Sequence, residues 1–482
     1  MSTTFYWHDY ETFGVDPSKD RPSQFAGLRT DENLNVIGKP LVIYCQPQKD
    51  ILPAPQACLI TGITPQHALE HGLPEPQFIE AIHQQLALPG TCGVGYNSIR
   101  FDDEVSRYTL YRNFYDPYQR EWKNGNSRWD IIDMMRLTRA LRPDGIEWPD
   151  HEPGRPSFKL EHLTAANGIE HAAAHDALSD VTATIAMAKL VKQKQPRLFD
   201  YVVNNRGKKA IAEMLNLQER KPFFHISGML DKAHMYGAVM IPLAKHPTNN
   251  NGVICFDLSA DPEALISLDA EEIQRRVFTA AVDLPEGTER IPLKVVHINK
   301  APVVTTHKLI DEKAAARLDI NMQRCEANWQ RLNEVNLQTK LKQVFAEREF
   351  PAKVEAEQQL YEGFLPNSDK GLLDEVRRAS AADFTAHSFH FADKRYNQML
   401  FNYRARYFAD SLSADEQKTW LESCKWRLTD KTSGYLTLQQ QATEIEELLA
   451  DSSLTDDKRA VLEALEAWAV MVTEEFSLEK QG

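Results

Sequence analysis

Two acidic residues lie one position apart in the aromatic and apolar segment near the start of the chain, residues 4–12. These are Asp9 and Glu11. Residues i and i+2 of a β-strand project from the same face, so both carboxylates would lie side by side on an otherwise buried strand. Two buried like charges are costly unless a cation lies between them. The pattern therefore predicts a divalent metal ion at this strand.

Further chemically active residues follow at positions that suggest elements folding back onto that strand. Asp102 ends a stretch of small and apolar residues, and apolar residues then recur at helical spacing, which places Asp102 at a helix start. Asp180 lies early in a second predicted helix, with Asp176 as its N-cap. Five residues of a helix rotate by about 140°, so His175 and Asp180 converge only if His175 precedes the helix.

These residues, in this order, resemble the DEDD family of 3′→5′ exonucleases, in the variant whose third motif carries a histidine. The resemblance covers roughly residues 5–190. Asp9 and Glu11 match the first motif, Asp102 the second, and His175 with Asp180 the third. The resemblance implies an RNase H-like domain, in which the four acids hold two Mg²⁺ ions that Mn²⁺ can replace. His175 would be the general base that takes a proton from the attacking water.

Four longer segments are similar to the exonuclease I branch of that family, whose members digest single-stranded DNA. They lie at residues 8–14, 100–104, 113–118 and 400–406. Because the last segment is far outside the nuclease module, the resemblance spans nearly the whole chain. It implies a processive, Mg²⁺-dependent 3′→5′ exodeoxyribonuclease that acts on 3′ ends, releases nucleoside 5′-monophosphates and serves DNA repair and recombination.

The chain changes in character twice, which predicts three domains. Residues 1–190 alternate strand-like and helical stretches, as is typical of an α/β domain with a mixed sheet. Residues 196–350 contain short strands separated by turn residues, and the resemblance identifies them as an SH3-like β domain with flanking helices. Residues 351–482 are almost wholly helical in pattern. The expected fold class is α/β plus β-barrel plus all-α.

Composition limits the classes of protein that fit. A chain of 482 residues is too long for one core. Its six cysteines form no Cys-x-x-Cys pair, which argues against a zinc site or a disulfide framework. A basic leader and an apolar run of about 18 residues are both missing from the sequence, so we expect a soluble, cytoplasmic protein without a membrane anchor. A monomer is the simplest assembly.

The formal net charge of −14 contrasts with the basic surface of most DNA-binding proteins. Any positive surface must therefore be local, and the basic stretch at 189–221 is one candidate, although a solvated helix face explains it equally well.

Single-strand binding without sequence preference requires aromatic side chains beside cations. Residues 107–122 have that pattern, and a second mixture at 394–408 predicts further contacts through Arg404 and Arg406.

The resemblance also assigns binding roles to particular side chains. The predicted strand contacts are Glu11, Arg107, Tyr118, Trp122, Arg136 and Lys159. Members of the branch are recruited by the acidic C-terminal tail of the single-stranded DNA-binding protein, and a basic ridge beside an apolar pocket would suit that peptide. Arg142 and Tyr201 are predicted to belong to this peptide-binding surface.

Two alternatives stay open at the level of sequence. The same metal site would serve a 3′→5′ exoribonuclease, because the choice of sugar depends on the pocket around the terminal 2′ position. A catalytically silent single-strand-binding scaffold could also retain the fold, although all five expected active-site side chains are present. A second acidic pair, Asp130 and Asp133, is interpreted as a helix start and a helix-face residue rather than as metal ligands.

Overall fold

The computed structural model describes residues 3–152, 155–171, 176–346 and 353–478. Two compact units interleave along the chain. The first unit comprises Met1–Ser127, Ala172–Thr182 and Ala352–Gly482, and the second comprises Arg128–His171 and Ala183–Pro351. The structural division thus cuts through the first predicted sequence domain and joins the N-terminal part of the chain to the C-terminal helical region.

A sheet centred on the first strand organises the N-terminal part of the first unit. The elements of this part are β1 (Thr4–Thr12), β2 (Pro22–Thr30), β3 (Val36–Tyr44), α1 (Pro55–Thr61), α2 (Pro65–His71), α3 (Glu75–Leu86), β4 (Thr91–Gly95) and α4 (Asp102–Arg112). Strand β1 pairs antiparallel with β2 and parallel with β4, and β2 pairs antiparallel with β3. The predicted strand carrying Asp9 and Glu11 is confirmed as a central strand with buried aromatic residues.

Short strands and helices make up the next part of the chain. They are β5 (Ser127–Asp130), α5 (Ile132–Leu141), β6 (Asp150–Glu152), β7 (Arg155–Pro156), α6 (Leu160–Ala166), α7 (Ala177–Lys194), α8 (Pro196–Asn205) and α9 (Lys208–Met214). Helix α7 begins in the first unit and continues into the second. The second acidic pair behaves as predicted, because Asp130 accepts the N–H of Ile132 at the start of α5 and Asp133 pairs with Arg136.

A five-stranded antiparallel sheet forms the core of the second unit. Its strands and the helices around it are β8 (Phe223–Ile226), β9 (Gly237–Lys245), β10 (Gly252–Asp257), α10 (Glu263–Ser267), α11 (Ala270–Phe278), β11 (Leu293–His297), β12 (Val303–Thr306), α12 (Glu312–Leu318), α13 (Met322–Asn333) and α14 (Gln338–Val344). The strand order is β11-β10-β9-β8-β12. One face packs against Ile211 and Leu215 of the preceding helical segment. The predicted small β domain is confirmed.

The C-terminal region is helical, as predicted. Its helices are α15 (Lys370–Arg378), α16 (Ala381–Ala386), α17 (Lys394–Tyr407), α18 (Ala414–Thr429), α19 (Leu438–Leu449) and α20 (Asp456–Glu475). Apolar clusters bury these helices against the N-terminal part of the same unit: Tyr111 and Phe114 pack with Leu373 and Met399, for example. Over the described part of the chain, every helix is too short or too polar to cross a lipid bilayer.

A network of buried charges also joins the two ends of the chain within the first unit. Its members include Arg21, Asp50, Glu75, Arg112, Glu355, Glu357, Arg406 and Arg427. The guanidinium of Arg406 donates to both oxygens of Asp50, at 3.0 and 2.7 Å, and Arg427 donates to the same carboxylate at 3.0 Å. The side chains in these pairs are at most 11% exposed, so the network fixes the C-terminal helices onto loops and helices of the N-terminal part of the unit.

This network corrects one sequence-based prediction. Arg404 and Arg406 were expected to contact a nucleic-acid strand. The side chain of Arg406 is only 8% exposed and is bound to Asp50 and Glu357, while Arg404 is bound to Glu416 and to Ser411. The prediction is wrong for Arg406, because its charge is already neutralised inside the protein. For Arg404, whose side chain is 17% exposed, the contact stays a prediction.

Candidate active site

The two acids of β1 lie where their spacing predicts. Asp9 is opposite Ala26 and Glu11 is opposite Gln24 in the antiparallel register with β2. Because alternate residues share one face, both carboxylates project from the same side of the central strand. The side chain of Glu11 is buried and that of Asp9 is half-buried.

Helix α7 brings a third carboxylate to the same place. Asp180 lies in its first turn, and the N–H of Ser179 donates to Oδ2 of Asp176 at 3.1 Å, so Asp176 is the N-cap that the sequence predicts. Carboxylate oxygens of Asp9, Glu11 and Asp180 all lie within 4.8 Å of one another. Residues separated by about 170 positions in sequence therefore form one acidic cluster.

The fourth acid is fixed to the backbone of β1. Asp102 begins helix α4, and its Oδ1 accepts the N–H of Tyr10, the residue between the two acids of β1, at 3.0 Å. Its neighbour Asp103 is bound to the buried guanidinium of Arg120 at 2.7 Å, which ties the first turn of α4 to the 3₁₀ turn Gln119–Glu121. The carboxylate of Asp102 thus lies alongside the cluster.

The electrostatics of the cluster are those of a site for cations. Burial raises the pKa of Asp9 well above its usual range, and repulsion from Asp102, Glu11 and Asp180 raises it further. Burial, followed by repulsion from Asp180 and Asp102, raises the pKa of Glu11 to about 8. A divalent cation would remove this repulsion, and an all-oxygen donor set suits the hard ions Mg²⁺ and Mn²⁺. The residues therefore fit the metal that the sequence implies.

His175, the predicted general base, lies outside the described residues. Its sequence neighbour Asp176 is described and lies at the start of α7. The role of His175 stays a prediction.

Three residues of the first unit that are predicted to contact the DNA strand lie in different environments. Trp122 is 64% exposed and Tyr118 is half-buried. Arg107 is buried, and its guanidinium donates to Glu121 at 2.7 and 2.8 Å and to Glu104 at 2.7 Å. The same guanidinium lies 5.4 Å from the centre of the Tyr118 ring. Arg107 therefore packs against the aromatic surface from within the protein and does not project from it.

The two residues of the second unit that are predicted to contact the DNA strand, Arg136 and Lys159, also lie in different environments. Lys159 extends into solvent, with its side chain 65% exposed and its ammonium 3.7 Å from Glu161. Arg136 is mostly buried, and its guanidinium lies 4.8 Å from the ring centre of Tyr236 and 5.8 Å from that of Phe158. Lys159 is thus available as a point charge, whereas Arg136 is held by aromatic rings.

The residues predicted for the partner surface lie in the second unit. Arg142 is partly exposed and lies 3.8 Å from Asp311. The hydroxyl of Tyr201 donates to the carbonyl of Val304 at 3.1 Å. An open groove of about 590 Å³ lies beside Asp311, with Ile310 and Met322 among its apolar lining residues.

Two aromatic residues that the sequence did not single out extend the surface around Tyr118. The ring centres of Tyr361 and Phe364 each lie 6.5 Å from that of Tyr118, and Phe364 is 89% exposed. A cavity of about 450 Å³ is lined by Tyr118 and Phe364 and by Lys123, Lys370 and Arg377. An aromatic residue in a sequence does not reveal whether it is exposed, so only the structure identifies this pair.

Comparison with known proteins agrees with this architecture. Residues 6–188 match the family model described as Exonuclease, residues 206–347 the Exonuclease I SH3-like domain, and residues 354–472 the Exonuclease I C-terminal domain. The chain is 46% identical over 471 residues to Exodeoxyribonuclease I of Escherichia coli (strain K12), covering 97% of this chain and 98% of that protein.

Solved structures are similar over nearly the whole chain. The zinc-bound form of an E. coli ExoI–ssDNA complex is 45% identical, covers 98% of this chain and 100% of that one, and has a TM-score of 0.92. A structure of SSB/Exonuclease I in complex with the inhibitor CFAM is 44% identical, with coverages of 98% and 100% and a TM-score of 0.90.

The fold and the acidic site together define an exonuclease with a centre suited to divalent metal ions. More narrowly, identity over almost the full length assigns the chain to a single branch of that class. The chain belongs to the exonuclease I family, and it is an exodeoxyribonuclease.

Proposed function

We propose that this protein is a Mg²⁺-dependent, processive 3′→5′ exodeoxyribonuclease that digests single-stranded DNA to nucleoside 5′-monophosphates in DNA repair and recombination. The observation that carries the proposal is the convergence of Asp9, Glu11 and Asp180 within 4.8 Å, with Asp102 anchored beside them. A scaffold that had lost its activity would have no reason to retain this costly arrangement of buried acids. Free thiols at all six cysteines fit a cytoplasmic location.

Metal ions in this site would neutralise the phosphate, lower the pKa of bound water and support the leaving oxygen. The residues that would hold them are Asp9, Glu11, Asp102 and Asp180. Glu11 would also face the terminal nucleotide. The N–H of Tyr10 restrains Asp102, so the fourth carboxylate keeps its position while substrate enters and leaves.

The reaction needs one proton acceptor from the chain. We assign this role to His175, which the third motif places one residue before the cap of α7. The imidazole takes a proton from the attacking water, the new bond forms between the water oxygen and phosphorus, and the bond between phosphorus and the 3′ oxygen breaks. The departing 3′ oxygen takes up a proton from solvent water, and the imidazolium later releases its proton to solvent. The products are a nucleoside 5′-monophosphate and a strand with a new 3′ hydroxyl.

The strand leading to the site would lie on the aromatic surface of the first unit. Glu104, two residues after Asp102, accepts hydrogen bonds from Arg107 and from the hydroxyl of Tyr361. The first turn of α4 therefore connects the acidic cluster with the rings around Tyr118. Bases stack on such rings without regard to sequence. We propose Tyr118, Trp122, Tyr361 and Phe364 as stacking positions, with Arg107 as a brace.

Arg136 and Lys159 are proposed as contacts to the strand from the second unit. Lys159 supplies a charge to a phosphate, whereas the guanidinium of Arg136 has donors in a fixed plane held by aromatic rings. The formal charge of −14 makes such local cations important, because the protein as a whole repels DNA.

Replacing Phe364 with alanine is expected to raise KM for long single strands about tenfold, since stacking of a base contributes about 1–3 kcal/mol. The rate on a dinucleotide should stay at the wild-type value, because that substrate is too short to reach beyond the acidic site. Steady-state kinetics on both substrates measures the difference. Phe364→Trp, which keeps a ring, should restore the KM, and Phe364→Leu should not. An unchanged KM for Phe364→Ala would remove this residue from the strand path.

The acidic C-terminal tail of the single-stranded DNA-binding protein is the proposed protein partner, bound at the surface around Arg142 and Tyr201. The similar SSB/Exonuclease I structure supports this choice of partner. The groove beside Asp311 offers apolar side chains next to the cation of Arg142, which is the combination that an acidic and hydrophobic peptide requires. We propose that the enzyme acts as a monomer.

Matched oligonucleotides decide the substrate and the direction of digestion. The protein is incubated with Mg²⁺ and DNA or RNA of one sequence, labelled at either end, and products are separated by size. We expect stepwise loss from the 3′ end of DNA, with 5′-monophosphates as products. Faster digestion of RNA would identify an exoribonuclease. Absence of mononucleotide from all substrates would instead identify a binding scaffold.

A further inference from the structure

Gln24 is a buried polar residue beside the acidic cluster that the reaction does not use directly. It lies on β2 opposite Glu11 in the antiparallel register, so the two side chains project from the same face of the sheet. Its side chain is 2% exposed. A primary amide buried to this degree is costly unless both its oxygen and its nitrogen find partners.

Both ends of the Gln24 amide are used at the start of helix α7. Its Oε1 accepts the N–H of Ala177 at 3.3 Å, and its Nε2 donates to Oδ1 of Asp176 at 3.4 Å. The second oxygen of Asp176 accepts the N–H of Ser179 and caps the helix. Gln24 is therefore bound to the N-cap and to the first residue of α7 at the same time.

The position of α7 matters because this helix carries Asp180. Asp9 and Glu11 keep their separation through the backbone of β1, and Asp102 is restrained by the N–H of Tyr10. Asp180 comes from a distant part of the chain and must be brought within 4.8 Å of two like charges. Its approach needs a link between the helix and the sheet, and the amide of Gln24 supplies one directly beside Glu11.

We propose that Gln24 is a positioning residue for the metal centre, because it ties the N-terminus of α7 to β2 and so holds Asp180 in register with Glu11. The inference rests on the proposed function of the site. Replacement of a residue that orients a metal ligand typically weakens metal affinity 10- to 100-fold. Both hydrogen bonds of Gln24 are long, so we expect a value of about tenfold, at the lower end of this range.

The test compares Gln24→Met with Gln441→Met in the full-length protein. Methionine keeps the volume of the side chain but makes neither hydrogen bond. Gln441 is a matched control, because it is also fully buried in the first unit and donates to the carbonyl of Pro53 at 2.7 Å. Mn²⁺ binding to the metal-free proteins is measured by titration calorimetry, and strand cleavage is measured as a function of Mn²⁺ concentration.

We expect Gln24→Met to bind Mn²⁺ about tenfold more weakly than wild type and to regain cleavage at high Mn²⁺ concentration. Gln441→Met should lower the melting temperature and keep the wild-type affinity. Equal affinities for wild type and Gln24→Met, or equal losses in both variants, would overturn the positioning role alone. Failure of wild type to bind Mn²⁺ would overturn the proposed function as well. If Gln24→Met does not fold, Gln24→Asn, which shortens the amide by one methylene, provides the same comparison.

Discussion

Replacement of Asp9 by asparagine is expected to reduce strand hydrolysis by about 10³-fold or more, because it removes one of the carboxylates that would hold the metal ions. Changes to residues that merely orient such ligands already cost about 10- to 100-fold in affinity or activity, so loss of a ligand should cost more. Single-turnover cleavage of a labelled single strand at saturating Mg²⁺ measures the effect. Activity within tenfold of wild type would show that the acidic cluster is not the catalytic centre.

The same variant should be more stable than wild type without metal. Burial and neighbouring acids raise the pKa of Asp9 above its ordinary value of 3.8, so the folded protein retains a proton that the unfolded chain releases. Stability then falls as the pH rises above 3.8 toward the raised pKa, and asparagine removes this loss. We expect the melting temperature of metal-free Asp9→Asn to exceed that of wild type at pH 8, with a smaller difference at pH 5.

The matched control for this variant is Asp410→Asn, which removes one negative charge at an exposed position of the same unit. It should leave both the hydrolysis rate and the melting temperature close to wild type. A gain in metal-free stability shared by both variants would indicate a general effect of net charge. The repulsion assigned to the acidic cluster would then be refuted.

Replacement of Asp50 by asparagine is expected to lower the stability of the first unit by about 3–5 kcal/mol, since it leaves two buried guanidinium groups without their shared carboxylate. Burial alone raises the pKa of Asp50, but Arg406 and Arg427 outweigh it and hold the pKa below 3.8. The contribution of this carboxylate is therefore present above that pH and is lost as the pH falls through its folded-state pKa. Urea denaturation at pH 7, where the contribution is present, and near pH 2, where it is reduced, measures both effects.

An exposed ion pair serves as the control for Asp50. Asp261 is bound to Arg331 at 2.9 Å, but their side chains are 72% and 42% exposed. Water and salt screen such a pair, so Asp261→Asn should barely shift the urea midpoint. Similar midpoints for Asp50→Asn and Asp261→Asn would mean that the buried network does not hold the C-terminal helices in place.

The local sequence was sufficient to predict those features of the fold and the site that depend only on neighbouring residues. The spacing of Asp9 and Glu11 predicts two carboxylates on one strand face, and Asp176 predicts the start of α7, because strand alternation and helix capping act over only a few residues. The short strands at residues 223–306 likewise carry their own turn residues. The motif order then placed the chain in its family, and this assignment needed no coordinates.

Only the tertiary structure decided which charges are free and which are already paired. Arg406 and Asp50 are 356 positions apart, and a basic residue next to tyrosines has the same local pattern whether it binds DNA or a buried carboxylate. The same holds for Gln24, whose partners lie about 150 positions away on α7. Sequence by itself determined the family and which acids are proposed to bind metal. Long-range packing determined how those acids are held and which cations stay available, because burial and pairing arise only when distant segments meet.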